Sequence, residues 1–265
     1  MIQAHVKNGT HPEQGLRVTR LPTTPKGAFA ATLKQFDSIP IETVAQSLLE
    51  RVDTKFLLSL STLEALLPEL APDYAILDIG SVRIFDYDNL YFDTADLDFY
   101  RMHHRGVYSR FKVRYRHYRQ TADTFLELKI KTPKRRTVKK RRPVSHMTQV
   151  STGVLQSFLA EHLPEPYWQL EPSLRGTYRR ISLLNKNSEE RLTFDLELQF
   201  THPYNNATAR LNRTVVAELK QPKRSYLSPF MALIRKYRLK EVPFSKYCVG
   251  CCYIRPELKQ NRFKP

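Results

Sequence analysis

The sequence predicts an α+β fold built on an antiparallel sheet whose strands set a charged face against an apolar one. Three observations predict it. At least six segments alternate polar and apolar residues with the two-residue period of a strand. The polar members are mainly Arg and Lys, with few carboxylates and little Ser, Asn or Gln. Short stretches with helical apolar spacing lie between them. Ordinary antiparallel sheets also turn polar residues outward, so the identity of those residues carries the argument. Closed into a barrel with the charged face inward, such a sheet encloses a cationic lumen. Buried cations without partners are costly. A chain of phosphates supplies the missing charge, with Arg making paired contacts and Lys a point contact.

Composition sets the bounds. The 265 residues suffice for one large domain or two small ones, and 41% hydrophobic content can fill a core. Lys and Arg number 43 against 26 Asp and Glu, a net +17. That implies an anionic partner: nucleic acid, a membrane surface or a phosphate-rich substrate. No apolar run reaches the about 20 residues needed to span a bilayer, and the N-terminus lacks a secretory h-region. Cys248, Cys251 and Cys252 cluster without the second ligand group a zinc site needs, so they are read as structural or surface thiols. Reduced thiols point to the cytosol.

Residues 1–35 lack periodicity and read as a loosely ordered arm. Ile41–Glu50 has helical spacing at Ile41, Val44, Ala45, Leu48 and Leu49. Arg51–Leu58 alternates, with Arg51, Asp53 and Lys55 on one face. Ser61 or Thr62 caps a helix running to Leu70, with Glu64 in its first turn. Val82–Asp93 reads as a strand, and Asp96–His104 as a helix ended by Gly106. Phe111–Lys131 is a hairpin with a polar turn at Arg119–Thr124. Lys112, Arg114, Arg116 and Tyr118 share one face, matched by Glu127, Lys129 and Lys131, while Leu126, Leu128 and Ile130 take the other.

Lys129–Arg142 holds nine basic residues and no acidic one; without it the net charge would fall from +17 to +8. The Lys134–Arg142 part reads as a solvated hairpin arm that can steer anions. Val154–Leu163 is a helix bounded by Pro164 and Pro166. Gly176–Leu183 is a strand with Tyr178 and Arg180 on one face. In Arg191–Phe200, Arg191, Thr193, Asp195, Glu197 and Gln199 oppose Leu192, Phe194, Leu196, Leu198 and Phe200. In Thr214–Lys220, Glu218 and Lys220 oppose Val215, Ala217 and Leu219. Ser228–Tyr237 reads as a helix, Phe244–Gly250 closes the ordered part, and residues 253–265 form a basic tail. His103, His104 and His117 have no motif behind them.

Several motifs together resemble the VTC-type polyphosphate polymerase domain, of the triphosphate tunnel metalloenzyme (CYTH-like) group. They are R-V-D-T-K-F-L-L at Arg51–Leu58, Y-F-D-T at Tyr91–Thr94, K-V-R-Y-R at Lys112–Arg116 and L-E-L-K at Leu126–Lys129. T-Y-R-R at Thr177–Arg180, R-L-T-F-D at Arg191–Asp195, A-E-L-K at Ala217–Lys220 and S-K-Y-x-x-G at Ser245–Gly250 follow in order. The resemblance spans residues 36–252. It implies a closed antiparallel tunnel of about eight strands with flanking helices, binding triphosphate or polyphosphate with Mn²⁺ or Mg²⁺. Lys55, Arg114, Arg116, Lys129, Arg180, Arg191 and Lys246 would be the catalytic phosphate ligands, with a one-residue slip open between Arg179 and Arg180. Arg51, Lys112, Lys131, Lys220, Tyr178 and Ser245 would bind substrate. Glu218 would hold the metal, with Glu127, Asp195 and Glu197 as weaker candidates.

The hydrolytic branch of the group carries E-x-E-x-K on its first strand, where this chain has Arg51, Asp53 and Lys55. Losing a carboxylate and gaining a cation favours polymer binding or transfer over metal-assisted hydrolysis, and transfer of the ATP γ-phosphate to polyphosphate is the leading expectation. A triphosphatase and a non-catalytic polyphosphate- or nucleic-acid-binding module are the alternatives. Lys134–Arg142 contains no aromatic residue for base stacking, which argues against nucleic acid. Eukaryotic relatives add a regulatory domain and a membrane segment outside the resemblance, which leaves two expectations: a separate membrane-protein partner at the inner membrane face, or no polymerisation at all.

Overall fold

The computed structural model describes residues 5–7, 27–46, 51–133, 136–145 and 152–263. The elements are β1 (His5–Lys7), α1 (Ala28–Lys34), β2 (Asp37–Ile39), α2 (Ile41–Gln46), β3 (Val52–Ser59), α3 (Leu60–Leu70) and β4 (Tyr74–Leu77). Next come β5 (Phe85–Asp93), α4 (Asp98–Arg105), β6 (Arg110–Tyr118), β7 (Thr124–Lys131), β8 (Thr137–Val144) and α5 (Thr152–Ala160). The chain continues through β9 (Glu171–Asn185), β10 (Arg191–Thr201), β11 (Thr208–Leu211), β12 (Thr214–Gln221), α6 (Pro229–Lys236) and α7 (Lys246–Ile254).

Eight antiparallel strands form the spine, in the order β3-β12-β10-β9-β5-β6-β7-β8. The sheet is tunnel-like, but it does not close by hydrogen bonding. Among the described residues β3 and β8 share no ladder, and a seam runs between them. The sheet still wraps far enough that Lys139 on β8 is an electrostatic neighbour of Arg51 and Asp53 at the start of β3. The cations of β8 disfavour a paired strand that brings Arg51 alongside.

Apolar side chains gather in three clusters, the first and third on the outward face under helices and the second between α7 and inward-facing residues of the sheet. The first lies under α3 and α6. α3 buries Leu63, Leu66, Leu67 and Leu70 on one helical face, each worth about 1.5–3 kcal/mol. The second lies under α7, where Tyr247, Cys248 and Cys251 meet Tyr91, Leu174 and Phe200. The third joins α5 to the outer face of the β6–β7 hairpin, through Phe158, Val113, Tyr115, Leu126 and Leu128.

Several expectations need correction. The cap of α3 is Ser59, whose hydroxyl accepts from the Thr62 N–H at 3.0 Å; β3 runs straight into the helix, so neither Ser61 nor Thr62 is the cap. Part of the supposed arm is structured, since α1 places Leu33 in the first cluster, followed by Phe36; residues 1–4 and 8–26 lie outside the described residues. The α2 helix is described only to Gln46, and residues 47–50 lie outside too. The C-terminal stretch is docked on α4. Phe263 meets Tyr100 at 5.7 Å, and Arg262 donates to the His104 carbonyl at 3.1 Å.

The alternation of β10 breaks at a bulge between Leu196 and Gln199, where Glu197 takes φ +52°. Leu192, Phe194 and Leu196 consequently join the first cluster, while Leu198 and Phe200 turn to the second.

Candidate functional site

Strand parity gathers the charged residues inside the tunnel. On β6, Phe111, Val113 and Tyr115 are buried outward, leaving Lys112, Arg114 and Arg116 inward. Register then sets Lys112 against Lys129 and Arg114 against Glu127 on β7. On the far wall, Glu218 lies opposite Lys55 and Lys220 opposite Asp53. β9 and β10 contribute Arg180 against Asp195. The N-terminal turn of α7, capped by Ser245, supplies Lys246.

Three carboxylates act as nodes, Asp195 buried and Glu127 and Glu218 half-buried. Glu127 accepts from Arg114 Nε at 2.7 Å and Nη2 at 2.6 Å, with Arg116 Nε at 3.7 Å. Burial raises its pKa, but Arg116 and Arg114 prevail and hold it at about 2. Asp195 accepts both arms of Arg180, at 2.6 and 2.9 Å, and the Lys246 ammonium. Desolvation is again overcome, by Arg180 and Lys246, to give about 2. Glu218 pairs with Lys220 at 2.5 Å and Lys55 at 3.8 Å. Those lysines hold it well below the usual carboxylate range in spite of its burial. Lys220 also reaches Asp53 at 3.8 Å, and Asp53 accepts from Arg51 at 3.0 Å.

Lys112 has a neutral partner, donating to Ser245 Oγ at 3.0 Å. Burial first, then Lys129 and Lys55, lower Lys112 to about 7. Lys129 falls to about 8 through burial and Lys55. Arg191 faces Arg51, Arg180 and Glu218.

A wall of tyrosines, which the sequence reading missed apart from Tyr178, completes the interior. Tyr87 and Tyr178 stack at 5.0 Å, 9° apart in plane. Arg180 lies over both rings and Lys246 lies 4.7 Å from the Tyr178 centre. Arg116 donates to Asn89 Oδ1 at 3.1 Å and Arg114 to the Tyr91 hydroxyl at 3.4 Å. Tyr87, Asn89 and Tyr91 occupy alternate positions of β5, so parity was the available signal.

The structure brings together Arg51, Lys55, Lys112, Arg114, Arg116, Glu127, Lys129, Tyr178, Arg180, Arg191, Asp195, Glu218, Lys220, Ser245 and Lys246. Lys131 sits beyond them, at the end of β7 in register with Arg110. Glu197 is not inside; the bulge sends it to Arg179, 3.2 Å away on the outer face near Asp86. Arg180 is therefore the inward member of its pair. Lys134 lies outside the described residues. Lys139 and Arg141 of the same run are exposed, as a solvated arm requires, and register places them beside Lys129 and Glu127. Arg142 points the other way, to Glu161 at 2.5 Å.

His103 is buried and held neutral, its pKa lowered to about 2 by desolvation and by Lys112 and Arg110. His104 and His117 bond Asn261 and Thr124, both structural contacts. Among the described residues no group of three or more His, Cys, Asp and Glu could hold a metal by itself. Glu218 nonetheless offers an ionised oxygen donor, and Asp53 flanks the same lysine. That suits ions such as Mg²⁺, which take one or two carboxylates and complete their shell with phosphate oxygens and water.

The family model described as the VTC domain matches residues 50–255. No curated protein matches the chain. Among solved structures, the chain is similar to a Hippeastrum protein described as an adenylyl cyclase with a dominant triphosphatase activity. The identity is 14%, over 76% of this chain and 94% of that one, with a TM-score of 0.47. It is also similar to a Vibrio parahaemolyticus protein described as an adenylate cyclase, at 12% identity over 74% and 94%, with a TM-score of 0.42.

Proposed function

The chain belongs to the VTC domain family, and on that premise we propose that it moves the γ-phosphate of ATP onto a polyphosphate chain held in the cationic interior. One observation carries this reading: the interior carboxylates are arranged as counter-ions, not as bases. Glu127 and Asp195 titrate at about 2, and Glu218 is held low by Lys220 and Lys55 against its burial. A general base works best with a pKa near the operating pH, so these groups activate water poorly. The terminal phosphate of a chain is already ionised at neutral pH and needs no base. In-line placement and charge neutralisation then account for the chemistry.

In this reading Arg114, Arg116, Arg180 and Arg191 fork onto phosphate oxygens, while Lys55, Lys129 and Lys246 add point charges. Arg51, Lys112, Lys131, Lys220, Tyr178 and Ser245 line the path. Arg114, Arg116 and Arg180 are each shared with a carboxylate in the free protein, so an arriving phosphate exchanges one anion for another. Mn²⁺ or Mg²⁺ would be held by Glu218, with Asp53 beside it, and would supply charge neutralisation at phosphate oxygens. No helix among the described residues is long and apolar enough to cross a membrane.

The test is a product assay on the full chain with ATP and Mn²⁺. The expected result is phosphate chains resolved by gel electrophoresis, growing as ATP is consumed. Complete consumption of ATP to free phosphate alone would reject transfer in favour of hydrolysis.

A further inference from the structure

Phe125 breaks the logic of its strand. It shares the inward face of β7 with Glu127, Lys129 and Lys131, where the other members are all charged. Its ring is half-buried and, among the described residues, belongs to none of the three apolar clusters. Register sets it between Arg116 on β6 and Pro143 on β8. Tyr118, the last residue of β6, meets it edge-on at 6.0 Å and 82°. The guanidinium of exposed Arg141 lies over its face, 3.9 Å from the ring centre. These groups adjoin the turn at residues 119–123, so they stand at the rim of the tunnel.

We propose that Phe125, Tyr118 and Arg141 form a stacking platform for the base of a nucleoside triphosphate whose phosphates enter the tunnel. This rests on the phosphate-binding reading above and deepens it. A half-exposed ring under a solvent-exposed guanidinium offers a flat, polarisable surface, and a base can replace that guanidinium or lie against its outer side. Arg116 stands opposite Phe125, and Arg114 and Glu127 lie two residues deeper, about 7 Å along the strand, so the ribose and the first phosphate would lie along that interval. Stacking reads no hydrogen-bonding pattern, so it favours purines over pyrimidines and separates adenine from guanine weakly.

Calorimetric titration of the full chain with ATP, CTP and sodium tripolyphosphate tests the platform. Phe125→Leu keeps apolar bulk but removes the flat face, and Phe125→Trp enlarges that face. In Phe125→Leu, ATP affinity is expected to fall about tenfold and CTP affinity less, with tripolyphosphate affinity unchanged. Phe125→Trp should bind ATP at least as well as the parent chain. Equal losses for ATP and tripolyphosphate, or no loss for ATP, would overturn the platform and leave the phosphate tunnel standing. A parent chain that binds no tripolyphosphate would overturn the tunnel reading and the platform with it.

Discussion

Asp195 has no exposed surface, yet Arg180 and Lys246 both donate to it. Removing one side of a buried ion pair strands the other and typically costs about 3–5 kcal/mol. Asp195→Asn should therefore lower the unfolding free energy in urea by about 3 kcal/mol near neutral pH. The sign with pH follows from its folded pKa of about 2, below the ordinary 3.8. The contribution is complete above 3.8 and is lost as pH falls toward 2. The gap between parent and variant should accordingly narrow over that interval; a constant gap would show that the charge is not what matters. Parity put Asp195, Arg114, Arg116 and Glu218 on the charged faces, because charged and apolar residues differ so plainly on those strands, and the family resemblance supplied their roles. Parity failed for Tyr87, Asn89 and Tyr91, since β5 is aromatic or buried at most positions and shows little contrast between faces. It failed for Glu197 because a bulge is a backbone event that the order of side chains does not announce.

Helix α7 holds the inner contacts together. Lys246 reaches Asp195 from it, and its cap Ser245 accepts from Lys112. Its approach to the sheet is tight: a Cβ on Gly250 would stand 2.6 Å from Leu174 Cδ2 and from Phe200 Cδ1, both on buried side chains. Alanine there gains about 1 kcal/mol in helix propensity but overpacks the contact by about 1–3 kcal/mol. Gly250→Ala should lower the melting temperature and, by displacing Lys246 and Ser245, weaken tripolyphosphate binding as well. Unchanged values for both would mean the interface has room to spare. This close approach gives a physical reason for the glycine of S-K-Y-x-x-G. The helix itself was not legible, because α7 is buried on most sides and shows no polar–apolar stripe. The strands were legible in type and order, whereas the caps and ends moved by a few residues wherever a neighbouring strand or turn set the boundary.

Across the whole molecule the net charge is +17, and lysines of the interior carry part of it. Lys112 and Lys129, with folded pKa values of about 7 and about 8, would titrate at 10.5 in the unfolded chain. Between those limits the unfolded chain holds protons that the folded one has released, so folding stability rises with pH there. The same protons attract polyanions, so binding changes in the opposite sense. From about pH 7 to about pH 9, the melting temperature of the free chain should climb while tripolyphosphate affinity declines. Two trends of the same sign would disprove the linkage. What no residue pattern announced was the seam between β3 and β8, since wrapping depends on summed twist and not on any local signal. Two sheet edges flank it: that of β3 is partly covered where the Val242 N–H donates to the Lys55 carbonyl at 2.9 Å, while that of β8 is open among the described residues, and open edges invite strands from other molecules. β8 presents Lys139, Lys140, Arg141 and Arg142 in succession, and then Pro143, which has no N–H to offer. Copies meeting there would set cation against cation. In the proposed reading the charges that keep such copies apart are the ones that draw anions, and neutralising β8 to weaken that pull would also invite aggregation.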